Sequence, residues 1–497
     1  MSAFGPFPRP EQPSPRLQPA HFSLSRLYPP SIQKAMMLPR ASLGRTAARV
    51  WRNGCYQQTT VRGMASQAGL EFETSESAGV KLASREVSGP TTTLTVVAKA
   101  GSRYEPLPGY SEALEKFAFK STLKRSALRI TRENELLGGQ LSCYRSRENL
   151  VLSARFLNND LPYYAELLGE VVSQTKYCTH ELNELIFDLI KASQNNIAAS
   201  PSTQALDVAH TLAFHQGLGN PLTIPAATPL KKYVSAEGVA SFAQGVYTKP
   251  SIAVVSSGSN SAELSKWIGQ FFNELPTSTA SGALAPAATQ QTKYFGGEQR
   301  ISSQAGNAIV VAFPGSSAYG TSGYKPELAV LATLLGGESS IKWSTGSSVL
   351  AKAAEGFPGV RVSTDQSAYS DAGLFHITIS GQAADRVSQA AKAVVDALNN
   401  VAAGNVAAED VKKAVALARF RVLDAGSSLT AGSEATGSAL VHGGKAFSIA
   451  ANAQDIEKVT DAQVKAAAKS LLSNKASVAT VGELFSLPYA ADLGLTV

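Results

Sequence analysis

The stretch GYSEALEKFAFKST, residues 109–122, sets Glu112, Glu115 and Lys116 at positions i, i+3 and i+4, a spacing that gathers side chains on one face of a helix. Side chains so gathered could hold a metal ion, move a proton, or pair with each other. Two carboxylates and an ammonium make a poor metal set. Zinc prefers imidazole nitrogens and thiolates, and a cationic first-shell neighbour repels a divalent ion unless it gives up its proton. The expectation is therefore three ordinary polar helix positions, with Glu112 and Lys116 forming an i, i+4 pair worth a few tenths of a kcal/mol.

Other residues offer little chemistry. The six histidines include His210 and His215, whose five-residue spacing makes them diverge on a helix, so they read as structural. The glycines of LGGES and STGSS lack the phosphate-cradling spacings GxxxxGK[ST] and GxGxxG, and no GxSxG is present. Cys143 and Cys178 stand apart as expected buried thiols, with Cys55 near the N-terminus, and no clustered cysteines or CxxCH point to a haem or iron–sulfur cofactor.

The elements that carry these residues occur twice. LTVVAKAGSRYEPLPGYSEAL (94–114) and AIVVAFPGSSAYGTSGYKPEL (308–328) share Val-Val-Ala, Gly-Ser, Gly-Tyr and Leu at one constant offset. YRSRENLVLSARF (144–156) parallels AYSDAGLFHITIS (368–380), each an alternating strand after a polar turn. Val411, Val415, Ala418 and Val422 make a helical stripe, and Thr460 with Gln463 offers a capping box. Residues 276–293 read as a linker of Ala, Ser, Thr and Pro. The expected organisation is an N-terminal domain over 65–275 and a C-terminal domain over 294–497. The fold class is α+β: each domain a mainly antiparallel sheet covered by helices on one face, the pair enclosing a cavity.

Residues 1–64 differ in kind. They carry nine Lys/Arg against one acid, Glu11, which leaves the rest of the chain near neutral despite a formal charge of +7. A body without surplus cations is not a nucleic-acid binder. Leu43, Ala47 and Val50 alternate with Arg45, Arg49 and Arg52 on another helical face, the pattern of a mitochondrial transit peptide, with removal expected just after Arg62. No run of 18 apolar residues occurs, so any membrane association is expected to be peripheral.

On VVAKAGSRYE, GYSEALEKFAFKST, LLGGQLSCYRSRENLVLSARFL and the repeated half with YSDAGLFHITISG, the chain over 70–497 resembles the pitrilysin/insulinase-type metallopeptidases. It is most similar to their mitochondrial branch, the processing peptidase subunits and the core proteins of respiratory complex III. Active members carry His-x-x-Glu-His, in which two histidines and a downstream glutamate bind zinc and the first glutamate polarises its water. Aligned on FAFKST, this chain has Glu112, Glu115 and Lys116 at those positions, and Ile186 and Ser193 at the two downstream acidic positions. Only Glu115 survives. The segment 335–352, LGGESSIKWSTGSSVLAK, departs from the glycine-packed loop of the peptidase's non-catalytic subunit and is similar to that of the complex III core proteins.

The resemblance implies a non-catalytic subunit without cofactor or metal, on the matrix side of the inner membrane. Its implied partners are a homologous core protein 1, cytochrome b, cytochrome c1 and the iron–sulfur protein, in a dimeric complex. The alternative is a presequence-binding subunit of the processing peptidase.

Overall fold

The computed structural model describes residues 71–278, 291–337 and 346–497; the expected transit peptide over 1–64, most of the expected linker over 276–293 and the centre of segment 335–352 lie outside the described residues. The first half contributes strands β1 (Glu73–Ser77), β2 (Val80–Arg85), β3 (Thr91–Ala98), β4 (Gln140–Arg145), β5 (Leu150–Leu157) and β6 (Ile252–Ser257), in the order β1-β2-β6-β3-β5-β4. The second contributes β7 (Gly297–Ser302), β8 (Asn307–Pro314), β9 (Val360–Ala368), β10 (Gly373–Gly381) and β11 (Ser477–Gly482), in the order β7-β11-β8-β10-β9. Without β1 the orders are the same. Each sheet has one parallel pair, β2 with β6 and β7 with β11, and is otherwise antiparallel. The additional strand β1 joins β2 through Ala78 and Gly79, both at positive φ, the mirror-image turn that suits the twist of a two-residue hairpin.

One face of each sheet carries the main core. Leu94, Val96, Leu150, Leu152 and Val254 meet helices Leu161–Ser173, Ala236–Val246 and Ser261–Phe271, while Ile309, Val311, Ile377 and Val478 meet helices Pro326–Leu335, Ala384–Ala402 and Asp461–Ser473. The α+β expectation holds, and the structure adds a layer to it. β3 is buried almost throughout, so its second face is also covered. The cover is exchanged between the halves: helix Pro201–Phe214 sets Ala205, Ala209 and Ala213 against Ala308, Val310 and Ala479, and helix Leu429–Gly443 crosses back to Ala253 and Val255 through Leu440. Both helices use small residues at the contact. A Cβ on Gly437 would lie 2.4 Å from Val97 Cγ2, so backbone and sheet approach more closely than any larger side chain permits.

The Thr460 capping box forms, with Thr460 N–H donating to Gln463 Oε1 at 2.8 Å. Val411 and Ala418 of the expected stripe are buried in helix Ala408–Ser427, with Val415 and Val422 packed beside them.

Candidate functional site

Helix Tyr110–Phe117 begins after Gly109, whose φ of +107° no L side chain adopts comfortably and whose missing Cβ would sit 2.9 Å from Ile224 and Leu230. Glu105 precedes the helix and accepts hydrogen bonds from the N–H groups of Gly109 and Ser111, at 3.1 and 3.2 Å, placing a carboxylate at the helix start. Within the first turn, Glu112 is 1% exposed. Its counterpart is not Lys116. Arg145, at the end of β4, brings Nη2 to 3.7 Å from Glu112 Oε2 and Nε to 3.3 Å from Glu115 Oε2, while Lys116 Nζ sits 2.9 Å from Glu115 Oε1.

The expected Glu112–Lys116 pair is thus replaced by an Arg145-centred cluster, and Glu112 is a buried position rather than an ordinary solvated one. The physical reason is reach. A planar, permanently charged guanidinium from the adjacent strand spans both carboxylates, which the flexible lysine on the helix does not. Arg145 also donates to the Leu222 carbonyl. Burial pushes the Glu112 carboxyl up against the pull of Arg145. Ile186 is fully buried in the core, and Ser193 turns its hydroxyl to the Leu189 carbonyl at 3.2 Å. Glu105, Glu112 and Arg145 each keep one buried polar atom without a hydrogen-bond partner in the structure.

Burial raises the Glu105 carboxyl to about 7, opposed by Arg145 and the two N–H groups and assisted by the charge of Glu112. An acid whose folded pKa lies above its unfolded value adds stability at low pH and loses it as pH rises to the folded pKa. Measured by urea midpoint, wild type should therefore lose stability relative to Glu105→Gln between pH 4.5 and about 7, with the difference constant above that range. A pH-independent difference would remove Glu105 as the titrating group.

The histidines do diverge. His210, 2% exposed, binds Leu206 O through Nδ1 and Tyr369 OH through Nε2, both at 2.8 Å, and burial holds its pKa well below the usual value. His215 instead stacks on Phe295, the ring centroids 4.1 Å apart. Cys143 and Cys178 are free and half-buried, and burial pushes the Cys143 thiol well up.

A second polar cluster lies where the halves meet, built from the two turns that the repeat makes equivalent. Arg103 grips both carboxylate oxygens of Asp371 at 2.7 Å and Glu148 Oε1 at 2.7 Å. Glu148 in turn accepts from Ser370 N–H at 2.9 Å and Ser370 Oγ at 2.6 Å. Asn149 reaches Ser438 and His442 on the exchanged helix at 2.9 and 3.0 Å. Beside it a cavity of 820 Å³ is lined by Glu148 and Asn149 from one half and Tyr319, Tyr324, Glu434 and Phe447 from the other. In the sequence each turn is legible as polar, but nothing there shows that the two meet each other and Arg103.

Fold and site define a peptidase-like duplicated architecture, and the chain belongs to the insulinase (peptidase M16) family: residues 81–226 match the insulinase, peptidase family M16, model and residues 233–417 the peptidase M16 inactive domain. Within it, the chain is 49% identical over 464 residues, 93% of its length and all of the relative's, to a Neurospora crassa protein named cytochrome b-c1 complex subunit 2, mitochondrial. Proteins of the same name from Cryptococcus neoformans and Homo sapiens are 37% and 29% identical, covering 85% and 84% of this chain and 94% and 90% of theirs.

Proposed function

We propose that this chain is a non-catalytic structural subunit of the mitochondrial cytochrome b-c1 complex, occupying the place of subunit 2. The observation that carries the reading is the 49% identity spanning 93% of this chain and the whole of the Neurospora crassa subunit. The peptidase-like halves, 65–275 and 294–497, supply interfaces, and the segment 1–64 is removed on import. The chain sits peripherally on the matrix side of the inner membrane, beside core protein 1, with cytochrome b, cytochrome c1 and the iron–sulfur protein in the same assembly. No helix among the described residues is long and apolar enough to cross a membrane, which agrees with peripheral seating.

The family's zinc does not fit this donor set. Glu112 and Glu115 are compensated by Arg145 and Lys116, and a divalent ion would have to enter against two fixed cations with no imidazole to hold it. Purified chain is accordingly expected to carry substoichiometric zinc by elemental analysis, whereas one zinc per chain lost together with peptidase activity on chelation would reverse the non-catalytic assignment. The assembly itself is tested by native electrophoresis of detergent-extracted mitochondria. Co-migration with cytochrome b is expected, and migration as a soluble heterodimer that cleaves presequences would assign the chain to the processing peptidase instead.

A further inference from the structure

The two sheets share one strand order but end differently. In the first, β1 covers the outer edge of β2 over the register Glu73↔Ser84 to Ser77↔Val80; in the second, no strand among the described residues covers the equivalent edge of β7. Gly297 N–H bonds to Ala476 O and Ser303 N–H to Gly482 O, which turns the odd-numbered peptide groups of β7 toward β11. The N–H and C=O groups of Glu298, Arg300 and Ser302 therefore face outward. Such rows template strand addition, and proteins commonly blunt them with free charges.

β1 follows that rule, with Glu73 and Glu76 exposed. β7 does not. Glu298 Oε2 is engaged by Ala490 N–H at 3.2 Å, and Arg300 Nη2 donates to Leu487 O at 2.8 Å while its guanidinium lies 3.7 Å above the Tyr489 ring. Both charges are turned onto the chain's own C-terminal segment. That segment also presents the fully exposed ring of Phe485 beside a 950 Å³ cavity lined by Arg300, Ser302, Phe485 and Tyr489.

We propose that the outer edge of β7 receives an extended segment of another subunit, added antiparallel as a sixth strand, with an apolar side chain seated against Phe485 and Tyr489. The occupant is inferred from the first half, where the same edge is taken by a single five-residue strand. A groove of this size beside the edge suits one extended segment rather than the border of a second full sheet. The identity of the occupant as another subunit rests on the assembly proposed above.

The test uses the detergent-extracted complex. Hydrogen exchange should show the amides of Glu298, Arg300 and Ser302 slowed at least about tenfold relative to unpaired amides, as ladder pairing requires. A photo-cross-linking side chain introduced at position 302 should join a different polypeptide. Ser302→Pro removes only an outward N–H and should deplete that polypeptide from the complex, whereas Ser302→Ala should retain it. Exchange at the unpaired rate, or cross-links to a second copy of this chain, would overturn the edge assignment even if Ser302→Pro fails to fold. Co-migration of the wild-type chain with cytochrome b is read in the same preparation, so loss of that signal indicts the assembly and not the edge.

Discussion

Arg103→Ala is expected to lower the stability of the chain by about 3–5 kcal/mol, the cost of leaving buried carboxylates without their partner. The Arg103 side chain is 4% exposed and that of Glu148 6%, so water cannot replace the guanidinium. Asp371 lies at 28%, and there solvent softens the loss. Lysine should restore only part of the effect, because a point charge cannot grip both Asp371 oxygens and Glu148 together. A triple variant, Arg103→Met with Glu148→Gln and Asp371→Asn, should recover much of the stability, since it removes the charges as well as their compensation. Denaturant midpoints of the four proteins decide the matter, and equal midpoints for wild type and Arg103→Ala would show that the halves do not depend on this cluster.

The pH dependence follows from Asp371. Burial alone would raise its carboxyl, but the hydrogen bonds and charge of Arg103 outweigh this and hold it below the usual carboxylate range. A depressed acid contributes stability above its unfolded pKa, near 3.8, and loses it as pH falls through the folded value. The advantage of wild type over Arg103→Ala should therefore be largest near neutral pH and shrink as pH falls, first because the carboxylates orphaned in the variant relieve their burial by taking up protons, and in stronger acid because Asp371 of the wild type is protonated too.

Gly101→Ala should cost about 3 kcal/mol or more, at the upper end of overpacking changes. The residue has φ −70° and ψ 176°, a conformation open to alanine, so backbone freedom is not the reason for glycine. Space is. An added Cβ would lie 2.3 Å from Arg147 O, 2.4 Å from Arg147 C and 2.5 Å from Glu148 C, all backbone atoms that cannot rotate aside. The same approach holds Gly101 N–H to Glu148 O at 3.0 Å, so relieving the clash would loosen the turn that carries Glu148 to the junction. The equivalent glycine of the second half, Gly315, meets Leu374 and Phe375 backbone at 2.8 Å. It should behave alike. Gly89→Ala, with nothing within 4 Å, is the control and should stay within about 0.5 kcal/mol of wild type. A thermal or denaturant midpoint for Gly101→Ala matching that of the control would contradict the packing argument.

The sequence by itself determined the duplication and much of what each copy contains. Val96-Val97-Ala98 and Val310-Val311-Ala312 occupy equivalent central strands because a short apolar run rich in β-branched residues is local information, carried by neighbouring residues. Thr460 and Gln463 find each other for the same reason, being three positions apart. Gly101 and Gly315 stood out as a repeated pair, although only the backbone of a distant turn shows why they are glycine.

The partners of charged groups were decided by the tertiary structure. Lys116 lay at the favoured spacing from Glu112, yet Arg145 on the next strand took that carboxylate, because burial leaves Glu112 within reach of the strand's guanidinium. The exchange of helices Pro201–Phe214 and Leu429–Gly443 was equally invisible. Their contact faces are stripes of alanine, glycine and serine, which mark close approach without saying to which sheet. Periodicity tells a segment which side to bury. Only the closed chain, with both sheets in place, supplies the surface against which it is buried.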